Sequence, residues 1–170
     1  MTPSDLEIIF QLVLAAIVGL ILGFEREVIG KPAGMRTYAL VTLGATIFTI
    51  ISKYGFTDVA GGDFDPSRVA AQIVTGIGFL GAGIIIFRET TLQGLTTAAG
   101  MWVAAGVGIA VGFKLYLIAI FASILTLFAF TVMWVIENFI EEHINFLSNK
   151  KNQESTPERL EGPHTDRRID

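Results

Sequence analysis

The feature that most constrains this chain is the length of its uncharged stretches. Sixteen residues separate Arg36 from Lys53, and 24 separate Glu89 from Lys114, without an Asp, Glu, Lys or Arg among them. A helix that crosses a bilayer needs roughly 20 mostly apolar residues, and five segments meet or approach that length. The predicted spans are residues 6–24, 37–52, 69–87, 95–112 and 115–136. The sequence therefore predicts an all-α, polytopic integral membrane protein of about five transmembrane helices.

Composition supports the membrane interpretation over a soluble one. The chain is 52% hydrophobic even with its 18 glycines counted separately, and its mean hydropathy is +0.60. Soluble domains reach about 45–50% apolar content only when glycine is included. The alternative, a buried helix or strand of a soluble α/β protein, is strongest for residues 37–52. Five such runs leave too little polar surface to coat a soluble globule.

Charge and cysteine content exclude several functions. The formal net charge of −4 leaves no basic stripe to neutralise phosphates, so nucleic-acid binding is not expected. The absence of cysteine rules out disulfides, Cys-ligated zinc and thiol catalysis. The first residues include Asp5 and Glu7, whereas a signal peptide begins with positive charge, so the first span is expected to be retained.

The distribution of Lys and Arg predicts the orientation. With five spans, one side of the membrane receives nine of the 12 basic residues and the other receives three, Lys53, Arg68 and Lys114. By the positive-inside rule, the N-terminus is predicted outside and the C-terminus in the cytoplasm. Residues 1–138 would form the membrane domain. Residues 139–170 would form a cytoplasmic amphipathic extension that becomes disordered from Ser148 onward.

Small residues recur at helical spacing in two spans. In span four they are Gly100, Ala104, Gly108 and Gly112, and in span one Ala15, Gly19 and Gly23. Helices in lipid associate through such residues, which let their backbones approach closely. The stripes predict helix packing within one subunit, or alternatively an oligomer interface.

Span three contains four glycines in eight residues, among them Gly78 and Gly81. The pattern matches GxGxxG, but no preceding strand or βα unit accompanies it, so a dinucleotide site is not predicted. Each glycine weakens a helix by up to about 1 kcal/mol relative to Ala. A bend, a broken helix or very close packing is therefore expected, and a broken helix would be a candidate position for substrate binding.

Two threonines, Thr96 and Thr97, stand at the entrance of span four. Their hydroxyl groups could cap the helix or bond back to the i−4 carbonyl, and they could alternatively line a polar path. Capping is the favoured interpretation.

Ionisable groups cluster where the spans leave the membrane. Glu25, Arg26 and Glu27 end span one, and Arg36 and Thr37 begin span two on the same predicted side. Charges at the rim of a bundle are costly unless paired, so an ion pair between Glu25 and Arg36, or between Glu27 and Arg26 or Arg36, is expected. Solvated topology determinants are the alternative.

On the opposite side, Asp65 and Arg68 stand at i, i+3 and could pair across one helical turn. Asp63 and Asp65 could attract a hydrated divalent cation, although sites this open bind weakly. No metal site or cofactor is predicted.

Enzymatic activity is not expected. The sequence contains neither a phosphate-cradling GxxxxGK[ST] motif nor a phosphorylation motif of the Asp-Lys-Thr-Gly kind. His143 and His164 lie in the extension and the tail, away from any acid or nucleophile. No ionisable residue falls deep within a predicted span, which argues against an ATP-driven pump and against a carrier with a midplane carboxylate.

Five sequence blocks in order resemble the MgtC/SapB family of bacterial membrane proteins. They are residues 23–27 (GFERE), 31–37 (KPAGMRT), 65–74 (DPSRVAAQIV), 76–83 (GIGFLGAG) and 94–99 (GLTTAA), followed by Trp102. The resemblance implies five spans, an outside N-terminus and a place in the bacterial inner membrane. It also implies a link to growth in low Mg²⁺ and, in some pathogens, to virulence. Many members carry a cytoplasmic ACT-like domain after the last span, and this chain resembles a short form without it.

Two functions fit these observations. One is a non-enzymatic protein of Mg²⁺ homeostasis that modulates another membrane complex, such as the ATP synthase named by the resemblance, through helix contacts. The other is a small ion or solute channel or transporter that uses the glycine-rich third span, either as a single subunit or as a homo-oligomer. The candidate functional residues are Glu25, Arg26, Arg36, Thr37, Asp65, Arg68, Gly78, Gly81, Thr96, Thr97 and Trp102.

Overall fold

A computed structural model describes residues 4–55, 65–88 and 91–154. The described residues form five α-helices and one two-stranded antiparallel sheet. The helices are α1 (Asp5–Val28), α2 (Met35–Tyr54), α3 (Ser67–Ile84), α4 (Leu95–Gly112) and α5 (Tyr116–Glu154), and the strands are β1 (Ile86–Arg88) and β2 (Thr91–Gln93). All five helices are long and apolar enough to cross a membrane, which confirms the predicted fold class.

Helix α1 begins with a side-chain cap. The Ser4 hydroxyl accepts a hydrogen bond from the Glu7 backbone N–H, 3.3 Å away, which satisfies one of the amides that a helix start leaves unpaired. Asp5 and Glu7 place negative charge in the first turn, where the helix dipole favours it. Thr2 and Pro3, whose residue types also suit a helix start, lie outside the described residues. The helix ends at Val28, four residues beyond the predicted span.

The polypeptide leaves the third helix earlier than the sequence predicted. The predicted span runs to residue 87, but α3 ends at Ile84 and residues 86–88 pair with 91–93 in a hairpin, with Phe87 opposite Leu92. The run Ile84–Phe87 consists of β-branched and aromatic residues, which favour strands. Gly94 then starts α4 with φ +89°, and a Cβ there would lie 2.4 Å from the Ile84 carbonyl oxygen. Only glycine fits that approach.

Helices α1, α2 and α4 form the tightly packed part of the fold. A Cβ on Gly19 of α1 would lie 2.6 Å from the Ala39 Cα of α2, and one on Gly108 of α4 would lie 2.4 Å from the Thr42 carbonyl oxygen. Their missing side chains let the three backbones touch. The larger side chains of the core come from the same helices and from α5, and include Leu22, Tyr38, Met101, Val107, Val111 and Phe130. The predicted role of the glycine stripes in packing within one subunit matches this arrangement.

Helix α3 is a continuous helix with few buried residues. Ile77 and Gly81 are buried, and a Cβ on Gly81 would make an ordinary 3.4 Å contact with the Ala98 Cβ of α4. A Cβ on Gly76, Gly78 or Gly83 would meet nothing within 4 Å. The expected break in span three is therefore absent from the described helix. Of its four glycines, Gly81 is the one that lies against a neighbouring helix, at ordinary contact distance.

Helix α5 continues to Glu154, past Ser148, where the sequence predicted the start of disorder. No Gly or Pro interrupts residues 116–154, so nothing in the backbone ends the helix earlier. Residues 155–170 of the predicted tail lie outside the described range. The chain divides into two compact units, Met1–Thr131 and Val132–Asp170, and the second consists, in its described part, of the C-terminal portion of α5.

Candidate functional site

Arg26 is a buried cation at the end of the bundle where α1 stops and α2 begins. Its residue surface is 3% exposed. Its Nη2 donates to the Glu25 Oε1 at 2.6 Å, and its Nε donates to the other carboxylate oxygen of Glu25. A two-point contact between a guanidinium and a carboxylate is the strongest kind of side-chain ion pair. The arrangement neutralises a charge that would otherwise be expensive beside lipid.

An aromatic ring covers the same guanidinium. The Arg26 Cζ lies 3.9 Å from the centre of the Phe130 ring of α5, within the range of a cation–π contact. Gly100 of α4 leaves room for that ring, since a Cβ there would lie 2.4 Å from the Phe130 Cζ and 2.4 Å from the Tyr38 hydroxyl oxygen. The Tyr38 hydroxyl donates to the Thr97 carbonyl oxygen at 3.3 Å. The cation is therefore contacted by residues of α1 and α5, and Gly100 of α4 leaves space for the ring that covers it.

The expected ion pair between Glu25 and Arg36 does not form, because Glu25 is already occupied by Arg26. Glu27 also pairs differently from the prediction: its Oε2 accepts a hydrogen bond from the Met35 backbone N–H at 2.8 Å and so caps α2. In the described part of the chain, Arg36 forms no ion pair. Arg36 and Thr37 instead line a polar cavity together with Glu27, Lys31 and Gly34.

A row of buried hydroxyl groups on α2 was missed by the sequence reasoning. Thr42 donates to the Ala15 carbonyl oxygen of α1 at 2.8 Å, and Thr46 donates to the Gly108 carbonyl oxygen of α4 at 2.8 Å. Each hydroxyl has a single proton, which lies within reach of one carbonyl on the neighbouring helix and at least one on its own helix. The signal was present in the spacing of Thr42, Thr46 and Thr49, which repeats every three to four residues within a predicted span.

Gln11 of α1 is a second buried polar residue that the sequence did not single out. Its Nε2 donates to the Val111 and Gly112 carbonyl oxygens of α4, at 2.6 and 3.1 Å. These carbonyls lie in the last turn of α4, where a helix leaves its carbonyls without intrahelical partners, and the Val111 carbonyl also accepts a hydrogen bond from the Lys114 backbone N–H at 2.9 Å. The Gln11 Oε1 is buried and has no hydrogen-bond partner among the described residues. Gln11 thus ties the start of α1 to the end of α4.

An ion pair lies at the same end of the bundle. Lys114 Nζ lies 2.6 Å from Glu7 Oε1, linking the connector between α4 and α5 to the first turn of α1. The hydrogen bond to Glu7 raises the pKa of Lys114, with a further contribution from Tyr54. Lys114 adopts a positive φ of 65°, so the chain turns sharply between the two helices.

Asp65 caps α3 and does not form the predicted ion pair. Its Oδ1 accepts a hydrogen bond from the Ser67 backbone N–H at 2.9 Å. Hydrogen bonds from Ser67 lower the pKa of Asp65, and the positive charge of Arg68 adds to the effect. No ion pair joins Asp65 and Arg68 in the described ranges. Asp63, the other half of the weak cation site considered above, lies outside the described residues.

The remaining candidates lie apart from one another. Thr97 is buried and Thr96 is exposed, but neither caps α4, because Gly94 occupies the N-cap position without a side-chain hydrogen bond. The capping prediction is therefore wrong, because the chain enters α4 through Gly94 in a left-handed conformation and both threonines lie inside the helix. Trp102 is 54% exposed on the outer face of α4. Gly81 packs on α4, whereas Gly78 is open.

The structure therefore brings Glu25 and Arg26 together, places Thr97 nearby through Tyr38, and leaves the other predicted residues separate. Over residues 4–55, 65–88 and 91–154, no group of three or more His, Cys, Asp or Glu residues could hold a metal ion. The buried polar groups therefore join helices to one another, and a polar cavity lies at the end of the bundle where α1 stops and α2 begins.

The fold and this site define a multi-pass helical membrane protein whose buried polar groups join its helices. The sequence model of the MgtC family matches residues 12–139, so the chain belongs to that family. The match confirms the resemblance seen in the five sequence blocks.

Relatives with similar sequences come from several bacteria. The chain is 48% identical over 129 residues to the putative magnesium transporter YhiD of Escherichia coli K12, covering 74% of this chain and 60% of that protein. It is 48% identical over 84 residues to protein MgtC of Brucella abortus, covering 49% of this chain and 33% of that protein. An uncharacterized protein of Haemophilus influenzae is 35% identical over 143 residues, which cover 81% of this chain and 60% of that protein.

The chain thus spans about 60% of the length of the YhiD relative. No solved structure matches the chain.

Proposed function

We propose that this chain serves Mg²⁺ homeostasis as a non-enzymatic membrane protein that modulates another membrane complex through contacts between helices. Membership of the MgtC family and the name of the E. coli relative support the link to Mg²⁺. The observation that carries the helix-contact mechanism is the exposure of α3. Its glycines 78 and 83 leave backbone open to the surroundings, whereas Gly19 and Gly23 of α1 and Gly100, Gly108 and Gly112 of α4 are enclosed by internal packing.

The interior of the bundle supports this proposal. The buried hydroxyls of Thr42 and Thr46 donate to backbone carbonyls of neighbouring helices, and Gly19 and Gly108 bring those backbones into contact. The small residues between α1, α2 and α4 are therefore used for internal packing. A partner helix would meet the outer surface of α3, where small residues allow close approach.

The test places a photo-crosslinking amino acid at Phe79 of α3, which is 82% exposed and lies beside Gly78. The matched control carries the same amino acid at Leu117 of α5, which is 72% exposed. In cells grown in low Mg²⁺, we expect Phe79 to capture a membrane protein that Leu117 does not, with ATP synthase subunits as one candidate. Equal capture from both positions, or none from either, would contradict the helix-contact mechanism.

A second function is favoured by the name of the E. coli relative, which describes a magnesium transporter. An oligomer that turned the open face of α3 inward would be needed, because the described residues contain no cluster of metal ligands. Purified protein reconstituted in liposomes with a fluorescent Mg²⁺ indicator separates the two functions. If Mg²⁺ flux into the liposomes depends on the chain, the chain is a transporter and the proposed modulation is wrong. We expect the Mg²⁺ flux to be unchanged.

A further inference from the structure

An apolar groove separates α2 from α3. Both helices pack against α4, and between them the groove has a volume of about 600 Å³. Its floor includes the buried residues Ala45, Ile77 and Ala105. Its walls carry large apolar side chains, among them Leu40, Val41 and Phe48 from α2 and Val69, Ile73 and Leu80 from α3.

Two glycines hold the groove open. Gly44 of α2 and Gly76 of α3 both line it, and a Cβ at either position would meet nothing within 4 Å. The groove extends from Thr37 to Phe48 along α2, a length of about 16 Å at 1.5 Å per residue. It therefore runs along the membrane-spanning part of the helix, where the surroundings are hydrocarbon and not water.

A polar cavity of about 390 Å³ adjoins one end of the groove. It is lined by Glu27, Lys31, Gly34, Arg36 and Thr37, and Thr37 lines both spaces. A polar space and an apolar space thus meet at one residue at the rim of the membrane-spanning region. Such a combination is complementary to an amphiphile with one polar and one apolar part.

The charges in the polar cavity favour an anion. The Glu27 carboxylate accepts a hydrogen bond from the Met35 backbone N–H. That N–H group is consequently not available to a ligand. Lys31 and Arg36 form no ion pair with any described residue. Two cations against one carboxylate leave a net positive cavity. By the orientation predicted from the Lys and Arg count, this end faces the cytoplasm, and the cytoplasmic leaflet carries the anionic lipids.

We propose that this composite site binds one anionic phospholipid, with its phosphate at Lys31 and Arg36 and an acyl chain in the groove between α2 and α3. The size of the groove distinguishes this occupant from a protein helix. A volume of 600 Å³ lies within the range of about 300–1,000 Å³ typical of small-molecule sites. A helix about 10–12 Å across with its side chains does not fit into it.

The first test is native mass spectrometry of the full chain with phosphatidylglycerol and, separately, phosphatidylethanolamine. We expect one phosphatidylglycerol to be retained preferentially. The double variant Lys31→Gln/Arg36→Gln is expected to weaken its binding about 10- to 30-fold, as the loss of two cations at a membrane surface predicts. Arg68→Gln removes an exposed cation near the start of α3, away from the cavity, and is expected to leave binding unchanged.

The apolar half of the site has its own variant. Gly76→Leu puts a side chain into the groove from a position where a Cβ meets nothing within 4 Å, and it is expected to weaken binding of both lipids. Gly106→Leu is the matched control, since a Cβ on Gly106 also meets nothing within 4 Å but that residue does not line the groove. Equal retention of both lipids by the wild type and all variants would overturn the proposal.

The site can also be tested on the unmodified chain, so that the result does not depend on whether a variant folds. Phosphatidylglycerol with a photoactivatable group in its acyl chain should label Leu40, Phe48, Val69 or Leu80. Labelling confined to the outer faces of α1 and α5 would overturn the site. Displacement of the lipid by inorganic phosphate alone would show a free-phosphate site instead, and a cross-link from the groove to a second copy or another protein would show that a polypeptide occupies it.

Discussion

At the scale of single residues, the informative feature is a cation held away from solvent by two kinds of contact, an ion pair and a cation–π contact. Arg26 has a carboxylate partner in Glu25, a ring in Phe130 and almost no exposed surface. The sequence identified Glu25 and Arg26 as functional candidates but assigned the wrong partner. Neighbouring side chains on a helix normally point in different directions, so spacing alone favoured a partner from the next helix.

The Arg26 pair predicts a strong coupling. Arg26→Ala leaves Glu25 without a partner and empties the space beside Phe130, so we expect unfolding in detergent to become easier by about 3–5 kcal/mol. In a double-mutant cycle, Glu25→Ala and Arg26→Ala should couple by roughly 1–3 kcal/mol. The matched cycle of Glu25→Ala with Arg36→Ala should be additive within about 0.5 kcal/mol. Thermal unfolding of all variants provides the measurement. Coupling between Glu25 and Arg36 would contradict the Arg26 pair and support the ion pair predicted from the sequence.

At the scale of helices, α2 is the element around which the others are arranged. Its threonines bond to α1 on one side and to α4 on the other, while glycines of those helices bring the backbones close. The glycine stripes of α1 and α4 were visible in the sequence because their period matches one helix face. The threonine row was overlooked because hydroxyl residues in a span have two common roles, bonding to their own helix or across to another, and only tertiary contacts decide between them.

Two glycines of α4 provide a matched pair for testing this packing. Gly108→Ala pushes a methyl group against the Thr42 carbonyl oxygen and should destabilise the protein by about 1–3 kcal/mol. Gly106→Ala meets open space and should be neutral, or stabilising by up to about 1 kcal/mol through helix propensity. Denaturation in mixed micelles, followed by circular dichroism, measures both. Equal effects at the two positions would mean that α4 does not pack on α2 as described.

At the scale of the whole molecule, hydropathy predicted the number and order of the helices, and side-chain chemistry at their ends did not predict the connections. Five uncharged runs became five helices because a backbone in lipid must satisfy its hydrogen bonds internally. The hairpin of residues 86–93 and the left-handed residue Gly94 were not predicted, since both depend on where α3 and α4 meet. The groove between α2 and α3 was not predicted either, because it depends on how far apart these two helices pack on α4.

The orientation in the membrane remains a prediction from basic residues, and the chain is well suited to testing it because it contains no cysteine. Ser4→Cys should react with a membrane-impermeant maleimide in intact cells stripped of their outer membrane. Gln153→Cys should react only after the inner membrane is permeabilised. The cysteine-free parent is the background control, and the reverse labelling pattern would place the N-terminus in the cytoplasm.

The ion pair of Arg26 also bears on how the chain is made. Since its carboxylate partner is the preceding residue, Arg26 can enter the bilayer with its charge already paired, before any other helix exists. The ring that covers the guanidinium belongs to α5, which is synthesised after α1 to α4. Biogenesis would therefore begin with charge compensation inside α1, and the ring would cover the cation only after α5 has been made.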